Sequence, residues 1–385
     1  MSIPEHLSRY LDPNSIEVYL MAHNWEVKTR NRLFSTWRRP DQGDPSAFLF
    51  VPLSAGPADY EDRLRELVLR LAAVEERDID AVVTNLRYAT ADLIRIGLVS
   101  PRVGPGELPI EDGRNLFDGA RDLMLWAACA AVQPRASFGP RVPTVARDYL
   151  EGVRLGQTEK GSYVLTVISG VAPPEQQALV PDDDVQLDTP FERRVTSRLM
   201  ESLSATQSAA KLVVDEQADI GETFEGVVDR GVSANLCAAI AKMAEEQAGS
   251  RIEVRMSCAA SRPPTATELP QAVTFPSSAL PVLSDAQGVL RQLGPFDDVV
   301  VDGYVTRLNR GKDEAAIGSI VIDGDARGER RNIHVELPDA HYHLAVKAHD
   351  DRYPVRIMGT LAKRGRHWVL SDPGQLRLEG KDPEG

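Results

Sequence analysis

The chain has 385 residues, with 44 lysines and arginines against 57 aspartates and glutamates and a formal net charge of −13. At about 150 residues per domain this length predicts two or three domains, and a composition of 42% apolar and 26% charged residues excludes the disordered class. The acidic balance argues against a protein that coats nucleic acid by charge alone, because long-range repulsion opposes the encounter.

Cys129, Cys237 and Cys258 are few, odd in number and far apart, which fits a reducing cytoplasm and not a disulfide framework. Met1 to Tyr10 carries Pro4, Glu5, His6 and Arg9 and lacks the apolar core of a signal peptide. The longest apolar run, Leu123 to Val132, is about half the length of a membrane span. The expected location is therefore the cytoplasm, with no membrane partner.

Residues 1–77 read as a small α+β domain of order α-β-β-β-α. Ser15 to His23 places Ile16, Leu20 and Ala22 on a helix behind the Asp12-Pro13 start signal. Trp25 to Lys28, Arg32 to Arg38 and Ala47 to Leu53 are strand-like, with turn chemistry from Pro40 to Pro45. Gly56-Pro57 opens a helix to about Arg77 that carries Leu64, Leu67, Leu71 and Val74 on one face. Lys28, Arg30, Arg32, Arg38 and Arg39 flank Trp25, Phe34 and Trp37, an interleaving of cations and rings suited to nucleic acid. For Trp25 and Trp37 the plainer reading is a core role, with the basic stripe as the exposed side of the sheet. The element order resembles double-stranded-RNA-binding domains and HicA-like toxins, but no histidine stands on these strands to supply the toxin's chemistry.

Residues 78–155 read as a helical region, with apolar positions at helical spacing over 79–96, 115–132 and 145–155; Leu93 and Ile96 fall in the first. Residues 156–295 read as an α+β middle domain. Its loop from Gly156 to Ser162 combines glycines with Gln157, Thr158, Glu159 and Ser162, between a helix and a strand, where ligand loops often lie. The Lys-Ser/Thr of a phosphate loop is missing, and the plainer reading is a connection in which Gly161 takes a positive φ. Asp182, Asp183 and Asp184 are consecutive; they cannot all turn inward to a metal and read as a solvated loop.

Thr189-Pro190-Phe191-Glu192 has the form of a capped helix start, with Pro190 first in a helix reaching about Val214. Ser233 caps another helix, through Met243. Arg251 to Cys258 alternates as a strand, and Ser284 starts a short helix that stops at Gly294-Pro295.

The clearest pattern lies in residues 296–379, ahead of a tail at 380–385. Val299 to Leu308, Ile317 to Asp323 and Arg330 to Leu337 are strands, the third with Ile333, Val335 and Leu337 on one face. A helix follows over Pro338 to Ala348, then strands over Tyr353 to Leu361 and His367 to Leu370. Five short strands with a helix between the third and fourth resemble the OB-fold, a five-stranded β-barrel. The resemblance rests on element order; Gly303 suits the bend a small barrel needs. It implies ligand contacts on strands two and three and the flanking loops, to single-stranded nucleic acid or oligosaccharide. Carried onto this chain, the contacts are Arg310, Lys312, Arg330, His334, Lys363, Arg364, Arg366 and Trp368. The module holds 13 basic against 14 acidic residues and five of the seven histidines, so nearly all of the net negative charge lies elsewhere.

No metal site is expected. His341 and His343 are two apart on a helix and point to different faces, and no cysteine lies nearby. No nucleophile, zinc or dinucleotide motif is present, so neither catalytic residues nor cofactors are assigned. The fold class is thus α+β and multidomain, ending in an OB-like β-barrel. The functional expectation is a non-enzymatic protein whose OB-like module binds single-stranded DNA or RNA within a larger assembly. The alternatives are an adaptor that contacts only proteins and an enzyme with its site near residues 156–162.

Overall fold

The computed structural model describes residues 6–40, 48–100, 107–156, 163–172, 189–244, 249–263, 270–310, 317–364 and 367–379. Its described part is mixed α+β, with ten α-helices and three sheets. Each sheet has its own buried cluster.

The N-terminal part runs α1 (Pro13–Ala22), β1 (Glu26–Arg30), β2 (Phe34–Arg38), β3 (Leu49–Pro52), α2 (Tyr60–Glu75) and α3 (Ile79–Arg87). Asp12 caps α1, its Oδ2 accepting from the Ser15 amide at 2.9 Å, with Pro13 in the first turn. The antiparallel sheet β1-β2-β3 buries Trp37, and Trp25 just before β1 is equally buried. Both tryptophans therefore belong to the core. Of the neighbouring cations, Lys28 pairs with Glu26 at 2.6 Å and Arg30 with the buried Glu17 at 2.9 Å. All five residues of β1 are exposed, and its pairing shifts register between Val27 and Thr29. Val82, Leu86 and Ala89 join this same core.

The middle part adds β4 (Ala91–Val99), α4 (Ile110–Val132), α5 (Thr144–Gly152), β5 (Arg154–Leu155), β6 (Val164–Gly170), α6 (Phe191–Glu216), α7 (Ile220–Glu225), α8 (Ala234–Met243), β7 (Arg251–Ser257), β8 (Ala272–Pro276) and α9 (Ala279–Leu293). Its antiparallel sheet has the order β5-β6-β4-β7-β8. The helix expected over 79–96 is instead α3 followed by a turn and the central strand β4. Covered on both faces, β4 shows a nearly unbroken apolar run, and such a run has no period to separate strand from helix. Leu93 and Ile96 are thus strand residues. At α6, Pro190 is the N-cap and no side chain caps the helix, so Thr189 does not play the part its motif implies. Ser233 does cap α8, accepting from the Leu236 amide at 3.2 Å. The helix expected from Ser284 begins at Ala279, and Ser284 lies inside it. The run Leu123 to Val132 lies in α4, and no helix among the described residues is long and apolar enough to cross a membrane.

At the start of β4, Asp92 is fully buried and paired at 3.0 Å with Arg193 of α6, itself nearly buried. Thr196 Oγ1 and the Ala259 amide also donate to Asp92, at 2.6 and 2.7 Å. Burial pushes the Asp92 carboxyl above the usual carboxylate range, while Arg193 and these two donors pull it back.

The C-terminal part contains β9 (Phe296–Asn309), β10 (Ile317–Ala326), β11 (Glu329–Pro338), α10 (Asp339–Asp350), β12 (Val355–Arg364), β13 (His367–Ser371) and β14 (Arg377–Leu378). Strands β9, β10, β11, β13 and β12 pair in that order, and β12 pairs again with β9, closing a ring of five. Only the β11–β13 pairing is parallel. Inside lie Val301, Val305, Ile320, Ile322, Ile333, Val335, Ile357 and Leu370. Gly303 and Gly324 face each other across β9 and β10; a Cβ on Gly303 would stand 2.4 Å from the Gly324 Cα and 2.5 Å from the Asp323 carbonyl. At the boundary with the middle part, Arg141 pairs with Asp298, and Thr360 Oγ1 donates to Asp297 at 3.1 Å.

Four variants in urea denaturation test these assignments. Gly303→Ala is expected to lose about 1–3 kcal/mol through overpacking, whereas Gly288→Ala, in open space on α9, is expected to gain about 0.4–1 kcal/mol. Asp92→Asn is expected to cost about 3–5 kcal/mol by leaving Arg193 buried without its counter-charge, with Asp92→Asn/Arg193→Met recovering part of that loss.

Candidate ligand surface of the C-terminal ring

Period-2 alternation sends one set of side chains from each ring strand inward and the other outward. The register then decides which outward side chains are neighbours. Tyr304 on β9 stands opposite Asp323 on β10, which stands opposite Asn332 on β11. One step along, Arg307 is opposite Val321, Val321 opposite His334, and His334 opposite Val369 of β13. Tyr304 is half exposed.

Several arginines of this surface are bound by a carboxylate. Arg330 forms a bidentate pair with Asp323 through Nε and Nη2, at 3.0 and 2.9 Å. Its hydrogen bonds hold the Asp323 carboxyl below the usual carboxylate range. Arg356 grips Asp302 in the same way, at 2.6 and 3.0 Å, and reaches Glu379 at 2.8 Å. Arg310 pairs with Asp339 at 2.6 Å while its guanidinium lies 5.5 Å from the centre of the Tyr342 ring. Arg307 and Lys363 are exposed and have no ion pair among the described residues.

Aromatic faces are partly spoken for. The Arg331 guanidinium covers Trp368 at 4.0 Å from the ring centre, and Arg327 covers Phe296 at 3.5 Å. The Phe296 and Trp368 rings are themselves 6.4 Å apart. Trp368 is half-buried, with one face already occupied by a cation. His334 meets His367 edge to face at 4.8 Å. Burial first, then His367 and Arg307, hold the His334 imidazole below its usual value.

The residues expected from the sequence therefore separate into groups. His334, Lys363 and Trp368 stand on the neighbouring strands β11, β12 and β13. Arg310 and Arg330 sit toward opposite ends of the β10 ladder, each on its own aspartate. Lys312, Arg366, the Arg364 side chain and the loop residues Gln157, Thr158, Glu159 and Ser162 lie outside the described residues, as do Asp182, Asp183 and Asp184. His343 and His349 turn Nδ1 to the Asp339 and Val305 carbonyls, at 2.8 and 2.7 Å. Tyr304, Arg307 and the partner carboxylates Asp302 and Asp323 were not singled out by the sequence. The strand period places Tyr304 and Asp302 outward on β9, but only the register supplies their neighbours.

Comparison with known proteins returned no match to a family model, a curated protein or a solved structure.

The state of His334 has a measurable consequence. Because its folded-state value is depressed, the unfolded chain takes up the proton first. The stability held by the neutral ring is complete above the unfolded value of about 6.5 and is lost as pH falls through the folded value. Urea midpoints between pH 7 and pH 5 are expected to fall more steeply for the wild type than for His334→Gln; parallel curves would contradict the assignment.

Proposed function

We propose that the five-stranded ring is an OB-fold barrel through which the chain binds single-stranded nucleic acid, without catalysing a reaction and as part of a larger assembly. The observation that carries this reading is the closure. Numbered along the chain, the ring strands pair 1-2-3-5-4-1, with only strands 3 and 5 parallel and a helix between 3 and 4. An OB barrel closes in this order and offers strands 2 and 3 with their flanking loops to an oligomeric ligand.

Two further features support it. Tyr304 presents a ring on which a base can stack, a contact worth about 1–3 kcal/mol. Arg307 and Lys363 supply charge that no carboxylate among the described residues holds. The pairs at Arg310, Arg330 and Arg356 limit what those cations give to phosphates, so binding is modest and confined to one strip. The same pairs favour a second reading, an adaptor that contacts protein: fixed Arg–Asp pairs offer oriented donors and acceptors to a polar partner surface.

Fluorescence anisotropy of the full chain with a labelled oligothymidylate, over a salt series, separates the two. Affinity is expected to fall with salt at a log–log slope of about −0.7 per phosphate contact. Arg307→Ala and Lys363→Ala are each expected to make that slope shallower by about 0.7. Tyr304→Ala is expected to weaken binding by about 1–3 kcal/mol at unchanged slope. Absence of binding at low salt, or binding indifferent to all three substitutions, leaves the adaptor reading.

A further inference from the structure

Between the helical middle part and the ring lies a cleft of about 480 Å³, open to solvent. Its middle-part wall carries Gln133 and Arg135, which follow α4, together with Glu225 at the end of α7 and Asp229 just beyond. The ring wall contributes Thr360 and Lys363 from β12 and Ser371 from β13. The volume is that of a small-molecule site, and seams between structural units are where such sites concentrate.

The charges in this cleft are not paired with one another. Most arginines described above are held by a carboxylate, yet Arg135, Glu225, Asp229 and Lys363 have no ion pair among the described residues. Arg135 donates only to the Gln133 side-chain oxygen, at 3.2 and 2.8 Å. Two cations and two carboxylates thus line one concave surface without satisfying each other.

That balance selects the ligand. A polyanion would meet Glu225 and Asp229 as well as the cations, and a cation alone would meet Arg135 and Lys363. An apolar molecule would leave all four charges without a partner, and no aromatic ring lines the cleft for a neutral sugar to stack on. A molecule bearing both signs pairs with every one of them. We propose that this cleft binds a small zwitterionic molecule, its ammonium group held by Glu225 and Asp229 and its carboxylate by Arg135 and Lys363. Thr360 Oγ1, which donates to Asp297, and Ser371 Oγ, which donates to the Thr360 carbonyl, keep lone pairs to accept from N–H groups between the two ends. Such a ligand would touch both walls at once, so binding also fastens the ring to the middle part. Lys363 also belongs to the surface proposed above for nucleic acid, whereas Arg135, Glu225 and Asp229 belong to the cleft alone, so Asp229→Asn tests this site separately from that reading.

Triglycine serves as the probe, with N-acetyl-triglycine and triglycine amide as controls that each lack one terminal charge. Isothermal titration of the full chain with each compound, up to about 10 mM, covers the range expected of a weak site. Triglycine is expected to bind and to raise the melting temperature, with each control at least about tenfold weaker. Asp229→Asn and Lys363→Gln, both at exposed positions, are expected to weaken triglycine binding by a similar factor while circular dichroism stays unchanged. The two substitutions should also erase discrimination selectively: Asp229→Asn against the acetylated control, Lys363→Gln against the amide. No binding of triglycine, equal binding of either control to the wild type, or affinity unaffected by both substitutions would overturn the proposal.

Discussion

The closed ring depends on a place where two backbones come closer than side chains permit. At Gly303 and Gly324 the chains of β9 and β10 approach until a single added carbon would meet main-chain atoms within 2.4–2.5 Å. β9 is fourteen residues long and pairs with β10 on one side and β12 on the other. Gly303 belongs to both ladders, opposite Gly324 in one and Val355 in the other. A strand that serves two neighbours in a small ring must coil sharply, and glycine lets it do so without a side chain in the way. The inward row of valines and isoleucines can then converge into one core.

The same geometry governs the charge outside. Once β9, β10 and β12 are in register, Asp302 comes opposite Arg356 and Asp323 comes within reach of Arg330. Much of the module's charge is therefore consumed locally, in pairs exposed enough that each adds little to stability. Net charge along the chain is a poor guide to such a surface. What a ligand encounters is the charge left over after pairing, such as Arg307 and Lys363 on the ring and Arg135, Glu225 and Asp229 in the cleft, none of which has an ion pair among the described residues.

Much of the architecture was legible in the sequence where one face of an element is wet. The alternation of Ile333, Val335 and Leu337, the Asp12-Pro13 start and the Ser233 cap each mark a local rule that tertiary packing leaves intact. β4 was illegible for the opposite reason: with sheet neighbours and helices covering it on all sides, it has no polar face to set a period. The motif at Thr189 failed because Pro190 takes the cap position itself. For the candidate surface, the sequence supplied residue types but not partners. Arg356 and Asp302 are 54 positions apart, and only the register brings them together. Trp368 was named as a ligand contact by its place on the last hairpin, but that Arg331 lies on its ring could not be read from the sequence.

The outer edge of the N-terminal sheet carries a consequence for how copies of the chain treat one another. β1 offers unpaired amides and carbonyls along one side, the kind of rim on which a second strand can grow. Its sequence, Glu-Val-Lys-Thr-Arg, is exposed throughout and irregular at its middle. A neighbouring copy pairing there would have to strip water from these charged side chains and match a kinked ladder. The strand is thereby a poor template for fibrous growth.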